Sequence, residues 1–152
     1  MSNFFTEVIM KSPLLHTTNR VNDLNMLAPT FRTKVEALLA ESEKNNMPLM
    51  VLETFRSRER QLQLYEAKAT KLKTVGVHFY GLAADIVKCV NGEPSFKGDF
   101  SFLGKLAKEH GLIWGGDWGE PDKPHSFRDM DHVQLISVAD QHKLFAGTWY
   151  PS

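Results

Sequence analysis

The sequence predicts a small α+β domain, because helical and strand patterns alternate irregularly, a tight hairpin signal sits among them, and no regular strand–helix–strand repeat appears. Its 152 residues fit one domain with a continuous core and are too few for two independent cores joined by a linker.

Taken in order, the first 20 residues have weak periodicity and read as an irregular extension. From Pro29 to Glu43, Phe31, Val35, Leu38 and Leu39 recur on one helical stripe, and Pro29 suits a first turn. Leu49-Met50-Val51-Leu52 is a short apolar run of a buried strand. Ser57 suits the N-cap of a second helix over 58–69. The lysine-rich 68–73 stretch reads as solvated surface. A second strand is predicted over 82–90, and Asn91-Gly92 turns the chain back through Phe96. A third helix spans 100–110, with Phe102, Leu103, Leu106 and Ala107 inward and Gly111 beyond its end. Gly115-Gly116 breaks the chain, a polar loop runs to Arg128, and His132-Val133-Gln134-Leu135 begins a last strand. Residues 136–152 read as a tail.

The composition, 42% hydrophobic and 24% charged, is ordinary for a globular protein. The 18 basic and 18 acidic residues cancel, so no strong field draws the chain to nucleic acid or an anionic membrane. Cys89 is the only cysteine, and no internal disulfide forms. No basic segment followed by a long apolar stretch opens the chain, and no run reaches the length of a spanning helix. The expectation is a soluble monomer, cytoplasmic as synthesised and without stable membrane association.

Asp85 carries the most chemical information. On a strand it shares a face with the apolar Ala83, Val87 and Cys89, where a charge is costly unless paired or bound to a cation. The plain alternative is an aspartate satisfied by backbone amides or an arginine. His78 precedes it by seven residues across Gly81, which lets the backbone turn, and His132 opens another strand. Two imidazoles and a carboxylate suit a catalytic zinc ion that keeps one position open for water. His16, His110, His125 and His142 read as surface or capping groups.

A base is needed near such a metal. Asp129, three residues before His132, reaches it if the last strand begins near Asp131, and Asp131 would then point away. Arg56, ending the first strand, reads either as a helix-start contact or as a fixed cation for a substrate carboxylate or oxyanion. Arg58 and Arg60 fall on the solvent face. The Trp114–Trp118 pair is assigned to packing, and Glu53 and Tyr80 are candidates for supporting the ligands.

These residues resemble the cell-wall zinc peptidases that include D-alanyl-D-alanine carboxypeptidases and dipeptidases and the L-alanyl-D-glutamate endopeptidases of phage endolysins. The resemblance is nearest to the endolysin branch. It rests on His78 and Asp85 in HFYGLAAD, Asp129 and His132 in DMDH, Arg56 and Gln61 in TFRSRERQ, Gly111 to Trp118 in GLIWGGDW, and Phe127, in one order over about residues 23 to 135. Gly76 stands where the family usually has a serine, and Asp131 where it often has proline. The resemblance implies a Hedgehog/D-Ala-D-Ala peptidase-like fold, with a central antiparallel sheet that supplies the ligands and with helices flanking it. It implies one peptidase domain over 1–152 without a wall-binding module. It also implies zinc held by His78, Asp85 and His132, Asp129 as catalytic base, and Arg56 holding substrate or oxyanion. The substrate implied is the stem peptide of peptidoglycan, cut as a bacteriolytic endolysin would after release by a holin. A D-Ala-D-Ala carboxypeptidase or dipeptidase, and a metal-binding relative without turnover, are the alternatives.

Overall fold

Strand β2 (Ala83–Val90) organises the molecule, since every other strand except one pairs with it directly. The computed structural model describes residues 2–70, 72–118 and 129–151, and the expectations for His125, Phe127 and the loop to Arg128 lie outside them. Strand β1 (Leu49–Glu53) runs antiparallel along one edge of β2. The other edge takes β5 (His132–Gln134) at its start and the hairpin partner β3 (Glu93–Ser95) at its end, and β4 (Ile113–Trp114) closes the sheet beyond β5. All pairings are antiparallel, so the predicted α+β class with a central antiparallel sheet holds.

Local chemistry explains the elements. Helix α1 (Pro29–Lys44) starts on its proline and buries Phe31, Val35 and Leu38. Helix α2 (Arg58–Glu66) is capped by Ser57, whose Oγ accepts from the Arg60 amide at 3.0 Å, and it ends three residues short of the predicted 69. The β2–β3 turn has positive φ at both Asn91 and Gly92 (53° and 80°), the conformation its dipeptide favours. Helix α3 (Ser101–Glu109) ends before Gly111 as expected. Strand β4 was not legible, because two residues give no periodicity.

Helices α1 and α3 cover one face of the sheet. Phe31, Val35 and Leu38 meet Leu103, Leu106 and Ala107 over Ala84, Ile86 and Val133 in one buried cluster. A second cluster gathers Ile9, Phe55, Phe79, Leu82, Ile136 and Leu144. This corrects the reading of both ends of the chain. Residues Phe5–Ile9 form a π-helical turn whose Ile9 is fully buried. In the supposed tail, α4 (Gln141–Phe145) buries Leu144, and Tyr150 Oη donates to the Tyr80 carbonyl at 2.7 Å. Both segments offered too few apolar residues at a fixed period to be read from sequence. No helix among the described residues is long and apolar enough to cross a membrane.

Gly104 marks the closest approach of α3 to the sheet, since a Cβ there would stand 2.3 Å from Trp114 Cε3. Gly104→Ala gains about 1 kcal/mol of helix propensity. The indole is buried and its Nε1 is tied to the Met130 carbonyl at 2.7 Å, so it cannot retreat freely. Overpacking of about 1–3 kcal/mol should win, and the thermal midpoint should fall by several degrees. A midpoint equal to or above that of the parent protein would show that Trp114 is not fixed.

Candidate active site

The centre of the site is a row of three residues across the sheet. Asp85 in β2 pairs with Glu53 of β1 on one side and with His132 of β5 on the other. The register slips between Val51 and Glu53, so an extra residue bulges and Glu53, not Leu52, stands opposite Asp85. His78 joins the row from the 3₁₀ turn Val77–Tyr80, which Gly81 ends at a φ of 73°.

The structure brings His78, Asp85 and His132 together, all buried, with donor atoms within 4.8 Å of one another. His78 Nε2 lies 3.3 Å from Asp85 Oδ1, and His132 Nδ1 lies 3.6 Å from the same oxygen. Bonds of about 2.0–2.1 Å at a tetrahedral centre separate donor atoms by about 3.3 Å, so the spacing fits a zinc-sized ion. The outer nitrogens agree. His78 Nδ1 lies 2.8 Å from the Thr54 carbonyl, which only accepts, so Nδ1 carries the proton and Nε2 the lone pair. These three residues could hold a metal through two nitrogens and one oxygen.

Asp85 is held from its other side. Its Oδ2 accepts from an Arg56 terminal nitrogen at 3.0 Å, and the same nitrogen donates to Glu53 Oε1 at 2.8 Å. Arg56 also donates to Gln61 Oε1 at 3.3 Å. Arg60 does not point to solvent as expected. Its Nε donates to Glu53 Oε2 at 2.6 Å, so Glu53 bridges two guanidinium groups. The helical pattern placed Arg60 outside, but a buried carboxylate at the strand end draws it back. Burial opposes ionisation of Asp85, yet the imidazoles of His78 and His132 facing its Oδ1 outweigh it and hold the carboxyl well below the usual range. Burial likewise works against a charged His132, but Asp85 and Asp129 hold the ring above the ordinary imidazole range.

Asp129 stands in the chain returning to β5, with Oδ2 at 3.9 Å from His132 Nδ1. Its amide donates to the Gly115 carbonyl at 3.0 Å, and a Cβ at Gly115 would meet the Asp129 carbonyl at 2.3 Å. Glycine at 115 is what lets the acid approach. Asp131 does not point away. The strand begins at His132, not at Asp131, so strict alternation does not apply, and Asp131 clusters with Asp85 and Asp129. Burial, a hydrogen bond with Asp129 and the charge of Asp85 push its carboxyl up to about 9.

A cleft of about 390 Å³ opens over these groups, walled by Leu72, Val77, Trp118 and Phe145 and reaching Arg56 and Asp129. Trp118 stacks beside His132, with ring centroids 5.0 Å apart, so the packing assignment holds for Trp114 and fails for Trp118. Leu72 also shows that the lysine-rich stretch supplies part of a wall. The ring of Tyr80 packs on Phe5, Phe79 and Phe145. His16, His110 and His142 contact Glu59, Glu41 and the Ala139 carbonyl, as surface groups should. Gln134 and Gln141, which stand behind His132, went unnoticed, although a glutamine at strand spacing from a histidine is a readable signal.

Residues 70–135 match the family model described as D-alanyl-D-alanine carboxypeptidase. The peptidoglycan L-alanyl-D-glutamate endopeptidase CwlK of Bacillus subtilis is 27% identical over 143 residues, covering 80% of this chain and 82% of that protein. The L-alanyl-D-glutamate peptidase of Listeria phage A118 is 32% identical over 108 residues, and the match spans 68% of this chain but only 38% of the phage protein. The crystal structure of the Serratia marcescens L-Ala D-Glu endopeptidase ChiX superposes with a TM-score of 0.58 at 24% identity, over 78% of this chain and 91% of that one, and so shares its fold.

The doubly bridged Glu53 should be worth more to stability than an exposed ion pair, because its side chain is only 4% exposed. Glu53→Ala leaves Arg56 with a single carboxylate in a buried setting, and should cost about 3 kcal/mol in urea unfolding. Arg60→Ala should cost less than half of that, since Arg56 still satisfies the carboxylate. Equal losses would assign the stabilisation to Arg60 instead.

Proposed function

We propose, from the chain's membership of the cell-wall peptidase family of D-alanyl-D-alanine carboxypeptidases and L-alanyl-D-glutamate endopeptidases, that it hydrolyses the stem peptide of peptidoglycan between L-alanine and D-glutamate. The observation that carries the reading is the set His78, Asp85 and His132 at metal-ligand spacing, with Asp129 beside it and a cleft above. The two curated relatives favour the endopeptidase over a carboxypeptidase acting on D-Ala-D-Ala ends. The phage relative favours a lytic role at the wall, as an endolysin freed from the cytoplasm by a holin. We assign residues 1–152 to a single peptidase domain that works as a monomer.

His78 Nε2, Asp85 Oδ1 and His132 Nδ1 would hold the zinc ion. Zinc bound there would polarise the scissile carbonyl and acidify the attacking water. Asp129, on the open side of the three donors, takes the proton from that water and passes it to the leaving amine. Arg56 fixes Asp85 through Oδ2, and its edge facing the cleft is the cation nearest a developing oxyanion or a substrate carboxylate. Trp118, Leu72 and Phe145 exclude water along the cleft walls.

Purified protein should carry about one zinc per chain, and a strong chelator should abolish activity. Zinc affinity should fall as pH drops, beginning above the ordinary imidazole range, because the proton held on His132 competes with the metal. Affinity that does not change with pH would remove His132 from the ligand set. Asp129→Asn should stay folded and zinc-loaded while losing roughly a hundredfold to ten-thousandfold in rate. An active Asp129→Asn would place the base elsewhere. Digests of purified peptidoglycan, with new amino ends identified by mass spectrometry, decide the bond. New D-glutamate amino ends support the endopeptidase, and release of D-alanine alone overturns it.

A further inference from the structure

Gln134 is fully buried in β5, two residues beyond His132 and therefore on the same face of the strand. A buried amide has two donors and an acceptor to satisfy, and all of them are accounted for. Its nitrogen donates to the Ile136 carbonyl at 2.7 Å and to Gln141 Oε1 at 2.9 Å. With the nitrogen end committed to two acceptors, the oxygen end must face His132, and Oε1 lies 2.8 Å from Nε2. An amide oxygen accepts only, so Nε2 carries a proton, and when the ring is neutral Nδ1, 3.6 Å from Asp85 Oδ1, is the nitrogen left with the lone pair.

We infer that Gln134 and Gln141 are positioning residues for His132, together fixing which ring nitrogen is free. The short helix α4 then belongs to the site, although it lies beyond the residues matched to the family. The inference deepens the metal reading and rests on it for its purpose, but its central statement concerns a tautomer that exists without metal. Rotating the Gln134 amide by half a turn would set its oxygen against the Ile136 carbonyl, a backbone acceptor that cannot become a donor. It would also offer N–H to Nε2, which would move the ring proton to Nδ1 and block the metal-facing lone pair. Gln141 supplies the acceptor for the second N–H of the correct rotamer, and without it that buried donor loses its partner. Buried Leu144, on the same helix, anchors that residue against the second core cluster.

The test uses the full chain with ¹⁵N-labelled histidine. Long-range proton–nitrogen spectra of metal-free protein, at a pH where the ring is neutral, report the His132 tautomer. Zinc dissociation constants come from competition with a chromophoric chelator. The parent protein should show Nε2–H. Gln141→Leu should acquire an Nδ1–H population and bind zinc roughly tenfold more weakly, with a larger effect for Gln134→Leu, up to about a hundredfold. Gln141→Glu keeps an acceptor for the Gln134 nitrogen and should restore both readouts, which a merely structural role of α4 would not require. Gln141 is only half-buried, so its variants should melt near the parent. Identical tautomers and affinities within twofold in parent and Gln141→Leu would overturn the inference. Parent protein with Nε2–H that binds no zinc would sink the metal reading, and the tautomer comparison would still decide this one.

Discussion

A carboxylate buried in the middle of a central strand is the constraint on which the site depends. Asp85 cannot be ionised there without positive or hydrogen-bonding partners on every side. Its oxygens divide the work, with Oδ1 facing His78 and His132 and Oδ2 facing Arg56. Arg56 in turn needs Glu53, and Glu53 needs Arg60. Each added charge calls for another, and the chain stops only where Arg60 reaches partial exposure. On the open side the acids Asp129 and Asp131 join Asp85, and their crowding raises the Asp131 carboxyl, so a bound cation would be favourable there. A purely structural ion-pair network would have no reason to leave that side acidic.

Segments distant in sequence hold this row in place through the backbone. The Thr54 carbonyl orients His78, and Thr54 is itself fixed by bonds to the carbonyls of Val21 and Asp23 ahead of α1. Ser57 caps α2 while bonding the Thr17 carbonyl, which ties the arginine-bearing turn to the N-terminal segment. The bulge in β1 turns Glu53 toward Asp85, and Gly115 admits the Asp129 backbone. The N-terminal and C-terminal segments are therefore part of what makes the site rigid, because their own core packs under the turn that carries His78.

How far the sequence revealed this depends on the range of the interaction. Helices α1 and α3, strands β1 and β2 and the Asn91-Gly92 turn were legible because period, caps and turn chemistry are local. His78, Asp85 and His132 were legible as a group because an acid on an apolar strand face demands a partner, and the two histidines flank predicted strands. Illegible were the bulge before Glu53 and the recruitment of Arg60, which depend on cross-strand register, and the contact of Gln134 with Gln141, which depends on how α4 packs. The misreading of Asp131 has the same origin. Alternation along a strand was applied one residue too early, and a single residue of register reverses the direction of a side chain.

The resulting arrangement gives the two neighbouring acids different chemistry. Asp129 lines the cleft, its side chain is 32% exposed, and its carboxylate reaches toward His132 Nδ1. Asp131 is more enclosed, and burial, its bond with Asp129 and the nearby charge of Asp85 keep it protonated to about pH 9. A protonated carboxyl cannot accept a proton, but it can donate a hydrogen bond to its neighbour and stabilise that neighbour's charge. Exposure, and not sequence distance from the histidine, separates the two acids, since one faces the cleft and the other is enclosed beside it.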